Sequence, residues 1–225
     1  MNGVSLVTPT GGRPEAFALC ERWMGRQTYH GPLQWVVVDD VTPASKTTMG
    51  QEVVRPVPEW SGSHTLARNF RAGLMAARHD VVIVIEDDDW YSPRYVQDMV
   101  ERLERQPLMM LAGERPSRYY NVRDRSYRLP GNAAHASLCQ TAFRLELVPK
   151  ILGLLTDETW IDLRIWSKIP GELYEAYNCV GIKGLPGRSG IGIGHSQNGI
   201  PDPQLEVLRE WIGPDDAWEY AQWAT

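Results

Sequence analysis

Four consecutive acidic residues, Glu86 to Asp89, follow directly after an uninterrupted apolar run, Val81 to Ile85. The run consists of β-branched residues and predicts a strand buried on both faces, as in a parallel sheet. The carboxyl ends of such strands form the edge at which open α/β folds bind ligands. Adjacent carboxylates repel one another unless a cation lies among them, and their hard oxygens suit Mg²⁺ or Mn²⁺ shared with substrate phosphates. An acidic turn in water is the alternative, and we favour a metal and phosphate site.

Two other apolar runs also end in polar residues. Residues 4–7 predict a first strand, which is followed by the Gly-containing stretch from Thr8 to Pro14. Residues 35–38 predict a second buried strand, which ends at Asp39 and Asp40. Pro14 suits the first turn of a helix, so this region has the strand, loop and helix of a nucleotide-binding βαβ unit.

Strands and helices alternate up to about residue 113, which predicts a parallel, right-handed α/β sheet. A hairpin is predicted over residues 118–129. Further on we expect strands at 137–143 and 174–182, helices at 147–155 and 158–168, a glycine-rich loop at 184–199 and one or two C-terminal helices.

Composition and charge limit the possible classes of protein. The chain has 225 residues, 43% of them hydrophobic and 23% charged, which is typical of a soluble globular protein of one or two domains. No apolar run has membrane-spanning length, and the N-terminus lacks the pattern of a signal peptide. Cys20, Cys139 and Cys179 are too far apart in sequence to suggest a disulfide framework or a zinc site. We therefore expect a cytoplasmic protein that does not associate with membranes.

The motifs together resemble those of GT-A glycosyltransferases, most closely the family 2 type. The resemblance rests on Thr8-Pro9-Thr10 after strand one, on Asp39-Asp40, on the helix opening Leu66-Ala67-Arg68-Asn69, and on the acids with Pro93 downstream. It implies a single GT-A (Rossmann-like) domain of the α/β class, with a mostly parallel sheet flanked by helices and a smaller mixed acceptor-side region. Residues 1–113 would bind a nucleotide-sugar, and residues 114–225 would form the acceptor side and the C-terminal helices.

The resemblance also implies roles for individual residues. The donor would be a nucleoside-diphosphate hexose or pentose, with a UDP-sugar the first choice, and if the chain is phage-encoded the compartment would be the host cytoplasm. Asp39 or Asp40 would accept a hydrogen bond from the base, and Arg68 would approach the diphosphate. The residues that would line the donor site are Thr8, Pro9, Thr10, Arg13, Asp39, Asp40, Arg68, Asn69 and Asp87.

The metal position can be counted in two ways. Counting back from Pro93 gives Asp88 with Glu86 in place of the usual first Asp, whereas the literal Asp-x-Asp gives Asp87 and Asp89. We favour Asp88 as the direct ligand of Mn²⁺ or Mg²⁺, and Asp89 next. His195, in the glycine-rich loop, resembles the late histidine that completes the metal site in several GT-A enzymes.

An inverting transfer needs a base near the acceptor hydroxyl. In family 2 that acid lies at the start of the helix that here begins near Asp157 and Glu158. This chain departs from the usual Glu-Asp pair but keeps Asp162-Leu163. Asp162 is our first choice for the base and Glu158 the second, and the departure leaves a retaining mechanism open.

The region from Glu114 to Arg128 interleaves arginines with tyrosines, a pattern that can bind a phosphate backbone and stack on bases. A solvated hairpin, or arginines that bind the donor diphosphate, are the alternatives. Small phage-encoded family 2-like enzymes that glycosylate hydroxymethylated DNA bases are similar in size, so DNA is a candidate acceptor beside soluble glycans and small molecules. The residues assigned to acceptor binding are Arg118, Tyr120, Arg123 and Arg125.

Two other classes remain open from the sequence. A nucleotidyltransferase would use a similar α/β core and a similar set of acids. Such enzymes usually carry a glycine-rich basic signature after the first strand, and Gly11-Gly12-Arg13 matches only part of it. A catalytically silent sugar-binding module would need no metal-binding acids.

Overall fold

The structure is a computed structural model that describes residues 3–42, 44–56, 65–155, 160–188 and 199–223. Within these ranges the strands form two sheets, numbered below in chain order. The first sheet contains β1 (Val4–Thr10), β2 (Leu33–Asp39), β3 (Glu52–Val54), β4 (Val81–Val84), β6 (Leu111–Arg115), β9 (Thr141–Arg144) and β10 (Glu172–Glu175). The second contains β5 (Trp90–Tyr91), β7 (Tyr119–Asn121), β8 (Ser126–Arg128), β11 (Cys179–Lys183) and β12 (Ile200–Pro201).

The described residues also form seven α-helices. They are α1 (Pro14–Gly25), α2 (Thr65–Ala76), α3 (Tyr95–Arg105), α4 (Val148–Leu154), α5 (Ile161–Lys168), α6 (Glu206–Ile212) and α7 (Pro214–Ala221), with 3₁₀ turns at Leu138–Gln140 and Leu145–Leu147. α1 and α3 contribute to one hydrophobic cluster, whereas α2, α4 and α5 contribute to a second one. Both clusters include residues of β4, so helices cover the two faces of the sheet.

The strand order of the first sheet is β10-β6-β9-β4-β1-β2-β3. β1 runs parallel to β2 and β4, and β2 runs parallel to β3, whereas β9 is antiparallel to both of its neighbours. The predicted α/β fold with a mostly parallel sheet flanked by helices is confirmed.

The apolar run of β4 contains no polar residue because both faces of the strand are buried. Val81 and Ile83 belong to one hydrophobic cluster, and Val82 and Val84 belong to the other. Because successive side chains of a strand point to opposite faces, both faces of β4 must be apolar. All of its residues are fully buried.

The second sheet has the strand order β12-β8-β7-β11-β5 and is mixed. The predicted hairpin is present, with Tyr120 opposite Tyr127 in the antiparallel pair β7 and β8. β11 runs parallel to β7 and antiparallel to β5. Through β11, this sheet therefore connects β5, which directly follows the acids, to the hairpin of β7 and β8.

Two strand predictions were wrong in detail. The strand expected at 174–182 is two strands in different sheets, because the backbone N–H groups of Asn178 and Cys179 both donate to Oε1 of Glu114 and the chain changes direction there. The strand expected at 137–143 begins with the 3₁₀ turn, in which the N–H of Gln140 donates to the carbonyl of Ser137. The short strand β5 and the strand β6 were not predicted.

The C-terminal segment forms two helices, one of the two predicted possibilities. α7 docks on α1, where the indole N–H of Trp23 donates a 2.9 Å hydrogen bond to the hydroxyl of Tyr220. The guanidinium of Arg26 forms an ion pair with Asp216, whose carboxylate also accepts the indole N–H of Trp90. This segment therefore closes one side of the hydrophobic core.

Candidate active site

The acid cluster (Glu86, Asp87, Asp88 and Asp89) lies where the chain leaves the first sheet and enters the second. β4 ends at Val84 and β5 begins at Trp90. The N–H of Glu86 donates to the hydroxyl of Tyr91, which ties the start of the cluster to β5. The three aspartates are buried. The acids are thus enclosed at the carboxyl end of β4 instead of forming an exposed turn.

The loop after β1 contacts the acid cluster directly. The hydroxyl of Thr10 donates to Oδ2 of Asp87 at 2.6 Å. The guanidinium of Arg13 lies 2.9 Å from Oδ1 of Asp87 and 2.8 Å from Oδ2 of Asp88. Burial lowers the pKa of Arg13, but Asp88 and Asp87 outweigh this effect and hold the pKa above its ordinary value. The arginine is therefore a permanent cation of the site.

Lys183 is a second cation in the cluster and was not among the site residues predicted from the sequence. Its Nζ lies 2.9 Å from Oδ1 of Asp89, 3.3 Å from Oδ2 of Asp88 and 3.9 Å from Oε2 of Glu86. It is the last residue of β11, and only 4% of its surface is exposed. A charged residue directly after the apolar run Cys179–Ile182 was the available signal, the same signal that singled out Asp39.

Two opposing effects set the pKa values of the acids: burial raises them, and the nearby cations Arg13 and Lys183 lower them. Burial raises the pKa of Asp87 to about 6 against the lowering effect of Arg13, and it raises the pKa of Asp89 to about 6 against that of Lys183. Burial and the charge of Asp89 also raise the pKa of Glu86 well above its usual range. Crowded, partly desolvated carboxylates of this kind are poised to accept further positive charge.

The acid cluster also fits a hard divalent cation. Glu86, Asp88 and Asp89 each bring one oxygen to within 4.8 Å of the others. Oδ2 of Asp89 is buried and has no hydrogen-bond partner among the described residues. Carboxylate oxygens are the ligands that Mg²⁺ and Mn²⁺ prefer.

A second charged group surrounds Asp40. Its Oδ2 lies 2.9 Å from the guanidinium of Arg68 and 2.9 Å from that of Arg188. Burial raises the pKa of Asp40, but the hydrogen bonds from Arg188 and Asn69 outweigh it and hold the pKa below its ordinary value. Arg188 was not found from the sequence. Half of its side chain is exposed, so it is available to a ligand.

The loop that carries Arg188 packs against the loop that follows β1. Gly187 has a φ of +100°, and a Cβ at this position would lie 2.8 Å from the carbonyl oxygen of Gly12. Only glycine allows both the positive φ and this close approach. The contact holds Arg188 on the same side of the molecule as Arg13.

Several other residues assigned to the donor site form hydrogen bonds with groups of the protein itself. Thr8 accepts the indole N–H of Trp35 at 2.9 Å, and Pro9 is buried in β1. The two carboxylate oxygens of Asp39 accept the backbone N–H groups of Val41 and Ser45. Asn69 donates to the carbonyl of Thr10 at 3.4 Å, so α2 is held against the end of β1.

Asp162 lies in the first turn of α5. After burial, Asp89 and Asp88, its charge is a further cause of the raised pKa of Glu86. Burial raises the pKa of Asp162, opposed by the N–H of Leu163 and by His135. His135 was not found from the sequence, because it stands alone between small residues. The predictions for Glu158 and His195 concern residues outside the described ranges.

The basic hairpin is attached to the acid cluster through β11. The N–H of Val122 donates to the carbonyl of Lys183 at 2.8 Å. Arg123 is exposed, whereas the guanidinium of Arg125 donates to the carbonyl of Pro203.

Two further predicted acceptor residues, besides Arg125, have partners inside the protein. The guanidinium of Arg118 lies 3.7 Å from the ring centroid of Tyr177 and 5.1 Å from that of Trp211. Tyr120 is fully buried, and its hydroxyl donates to Asp202, so its ring has no exposed face on which a base could stack.

A comparison with known protein families shows which family the chain belongs to. The model of the family described as Glycosyl transferase family 2 matches residues 18–158, which is more than half of the sequence. The chain belongs to glycosyl transferase family 2. The matched region of this glycosyltransferase family member begins after Thr10 and Arg13 and ends at Glu158. No curated protein sequence matches the chain.

Solved structures of low sequence identity share the fold of this family 2 protein. TarS 1–349 of S. aureus in complex with UDP-GlcNAc has a TM-score of 0.59 at 11% identity, covering 87% of this chain and 62% of that one. The mannosyltransferase PcManGT of Pyrobaculum calidifontis, in complex with GDP-Man and Mn²⁺, has a TM-score of 0.58 at 16% identity, covering 83% and 58%. CMP:2-keto-3-deoxy-manno-octonic acid synthetase complexed with CTP has a TM-score of 0.54 at 14% identity, covering 92% and 97%.

The TarS structures are longer than this chain. The family 2 protein spans 37% of the longer TarS chain and 60% of TarS 1–349. Among its described residues, no helix combines the length and the apolar character needed to cross a membrane.

Proposed function

We propose that the protein is a metal-dependent glycosyltransferase that moves a hexosyl or pentosyl group from a nucleoside-diphosphate sugar to an acceptor hydroxyl. One observation carries the proposal: in a chain of glycosyl transferase family 2, Glu86, Asp88 and Asp89 converge at the carboxyl end of β4. Thr10 and Arg13, from the loop after β1, complete this arrangement. An anionic donor needs both the cations and a metal-binding group in such a site.

The donor diphosphate would be bound by arginines around the cluster. Arg13 lies against Asp87 and Asp88, while Arg68 and Arg188 lie against Asp40. Guanidinium groups bind phosphate oxygens in a bidentate manner. The structural neighbours bind UDP-GlcNAc and GDP-Man, and we propose a UDP-sugar as the first donor to test.

Asp88 and Asp89 would hold Mn²⁺ or Mg²⁺, with Glu86 beside them. The cation would stabilise the negative charge that grows on the diphosphate as it leaves. Arg13 would hold the carboxylates of Asp87 and Asp88 in place beside the cation, because its guanidinium contacts both of them.

Asp162 would act as the base that takes the proton from the acceptor hydroxyl. Its raised pKa increases its basicity over that of an ordinary aspartate. The charge of Asp162 is among the causes that raise the pKa of Glu86, and this coupling to the acid cluster supports the assignment. Glu158 is the second candidate for the same role.

For the acceptor we propose DNA, bound along the hairpin β7–β8. The hairpin is hydrogen-bonded to Lys183, so an acceptor on it would lie beside the acid cluster. Exposed Arg123 supports phosphate contact, although Arg118, Tyr120 and Arg125 have internal partners. A soluble glycan or a small molecule is the alternative acceptor.

Incubation with a panel of nucleotide-sugars tests the proposal. We expect slow hydrolysis of one donor to free nucleoside diphosphate with Mn²⁺ or Mg²⁺, and none in excess chelator. Calorimetry should show the same dependence for binding of the nucleoside diphosphate. Equal affinity with and without metal would contradict the metal-dependent site.

A nucleotidyltransferase is the second candidate. It is favoured by the likeness to the CTP-bound synthetase, of whose chain 97% is covered. Such an enzyme would release pyrophosphate from a nucleoside triphosphate in the presence of a sugar or sugar acid. Release of pyrophosphate without any hydrolysis of nucleotide-sugars would decide for this class.

A further inference from the structure

The ammonium of Lys183 lies among the carboxylates that would bind a divalent cation. Its Nζ contacts Oδ1 of Asp89 and Oδ2 of Asp88 and lies 3.9 Å from Glu86. The three carboxylates whose oxygens converge as a metal-binding set are the same three residues. A divalent ion binds carboxylate oxygens at about 2.0–2.6 Å, so it would lie next to an ammonium of like charge. Such juxtaposition is unfavourable in a buried site.

The backbone of Lys183 is fixed independently of its side chain. Its carbonyl accepts the N–H of Val122, and the preceding N–H of Ile182 donates to Asp89 at 2.9 Å. The pairing of β11 with β5 holds this strand beside the acids. The flexible side chain can therefore leave the carboxylates while the strand stays in place.

The ammonium of Lys183 is well matched in charge to the carboxylates that surround it. Burial lowers the pKa of Lys183, but Asp88, Asp89 and Glu86 outweigh it, so the side chain stays charged. Arg13 neutralises the other side of the cluster through Asp87 and Asp88. The carboxylates of the cluster are thus paired with cationic side chains of the protein itself.

We propose that the ammonium of Lys183 and the divalent cation compete for the oxygens of Asp88 and Asp89, so that Lys183 weakens metal binding in the donor-free protein. The inference rests on the proposed function, because that function brings the cation to these acids. Metal and donor then bind synergistically: the donor diphosphate offers the displaced ammonium new oxygen partners.

Binding of Mn²⁺ to the donor-free protein at pH 8, measured by the electron paramagnetic resonance signal of free Mn²⁺, tests the proposal. Lys183→Gln should lower the dissociation constant at least about tenfold, because the competing charge is gone. Lys150→Gln, at an exposed position of α4, makes the same change of net charge and should leave the constant within about twofold. An unchanged or weaker affinity in Lys183→Gln would overturn the proposal.

A measurement on the unaltered protein covers the case in which Lys183→Gln does not fold. The lysines of the chain are Lys46, Lys150, Lys168 and Lys183, and reductive methylation of each can be followed by mass spectrometry. Mg²⁺ should increase methylation of Lys183 relative to that of exposed Lys150, because the displaced ammonium loses its carboxylate partners. Equal methylation of Lys183 with and without Mg²⁺ would overturn the proposal.

The two proposals fail separately. If the protein hydrolyses a nucleotide-sugar with Mn²⁺ but Lys183→Gln binds Mn²⁺ no more tightly, the role of Lys183 is wrong and the proposed function stands. If Lys183→Gln tightens Mn²⁺ binding but no nucleotide-sugar is hydrolysed, the role of Lys183 stands and the proposed function is wrong.

Discussion

The hydroxyl of Thr10 donates a 2.6 Å hydrogen bond to Oδ2 of Asp87, which lies 77 residues further along the chain. Both groups are buried, so water cannot replace either partner. The bond joins the carboxyl end of β1 to the acid cluster after β4. Two neighbouring parallel strands thereby present one continuous polar edge.

Removal of this hydrogen bond should destabilise the protein. Thr10→Val keeps the shape of the side chain but leaves a buried carboxylate oxygen without its donor, so we expect the free energy of unfolding to fall by about 1.5–3 kcal/mol at pH 8. Urea denaturation measures the change. Thr10→Ser keeps the hydroxyl and serves as the control. Equal stability of the two variants would show that the bond contributes little.

Asp162→Asn should lower turnover by roughly 10² or more, the usual effect of losing a general base. Binding of the nucleoside diphosphate, followed by calorimetry, should hardly change. Asp215→Asn, at an exposed position of α7, makes the same chemical change away from the acids and should keep full turnover.

The second candidate base is tested in parallel with Glu158→Gln. An active Asp162→Asn enzyme together with an inactive Glu158→Gln enzyme would move the role to Glu158. Full activity of both variants would indicate a retaining mechanism, which needs no such base.

If the hairpin binds DNA, affinity for duplex DNA should fall steeply with salt, by about 0.9 in the log–log slope for each neutralised phosphate. Replacing Arg123 by Ala and Arg125 by Asn should reduce that slope by up to roughly two. Asn is chosen because Arg125 has a φ of 45°, a conformation that Asn tolerates. Fluorescence anisotropy at several salt concentrations measures the slope, and donor hydrolysis should persist.

The matched control replaces Arg94 and Arg105 by Ala, since both are exposed and flank or end α3. It removes the same charge and should leave the slope unchanged. Absence of DNA binding by the parent protein at low salt would favour a glycan or small-molecule acceptor. Loss of donor hydrolysis in the hairpin variant would place these arginines in the donor site.

Glu114 should make stability depend on pH. Burial raises its pKa from 4.5 to about 7, against the hydrogen bonds from Cys179 and Asn178. Between these values the folded protein binds more protons than the unfolded chain, so this contribution is complete below pH 4.5 and is lost as pH rises through about 7.

Glu114→Gln should therefore lose less stability between pH 5 and pH 8 than the parent protein. Urea denaturation at both pH values measures the difference. Glu175→Gln, at an exposed position of β10, is the control and should behave like the parent. An equal pH dependence in all three proteins would show that Glu114 does not titrate in this range.

Local pattern was sufficient for much of the fold. The continuous apolar run of β4 correctly indicated a strand covered on both faces. β5 was not predicted because a two-residue strand is defined only by its partner, here Cys179 and Val180 of β11. The division of residues 174–182 into two strands depends on the carboxylate of Glu114, 64 and 65 residues away.

The sequence by itself determined the place of the acid cluster, because an all-apolar strand that ends in polar residues must deliver them to one edge of a sheet. The resemblance to family 2 assigned Thr10, Arg13 and Asp87 to one donor site, and the structure brings them into contact because β1 and β4 are adjacent parallel strands. Only the tertiary structure decided that Lys183 neutralises Asp88 and Asp89. Lys183 follows Asp89 by 94 residues and reaches it through the pairing of β11 with β5. Such pairing depends on the packing of two sheets and leaves no periodic signal in the residues that form it.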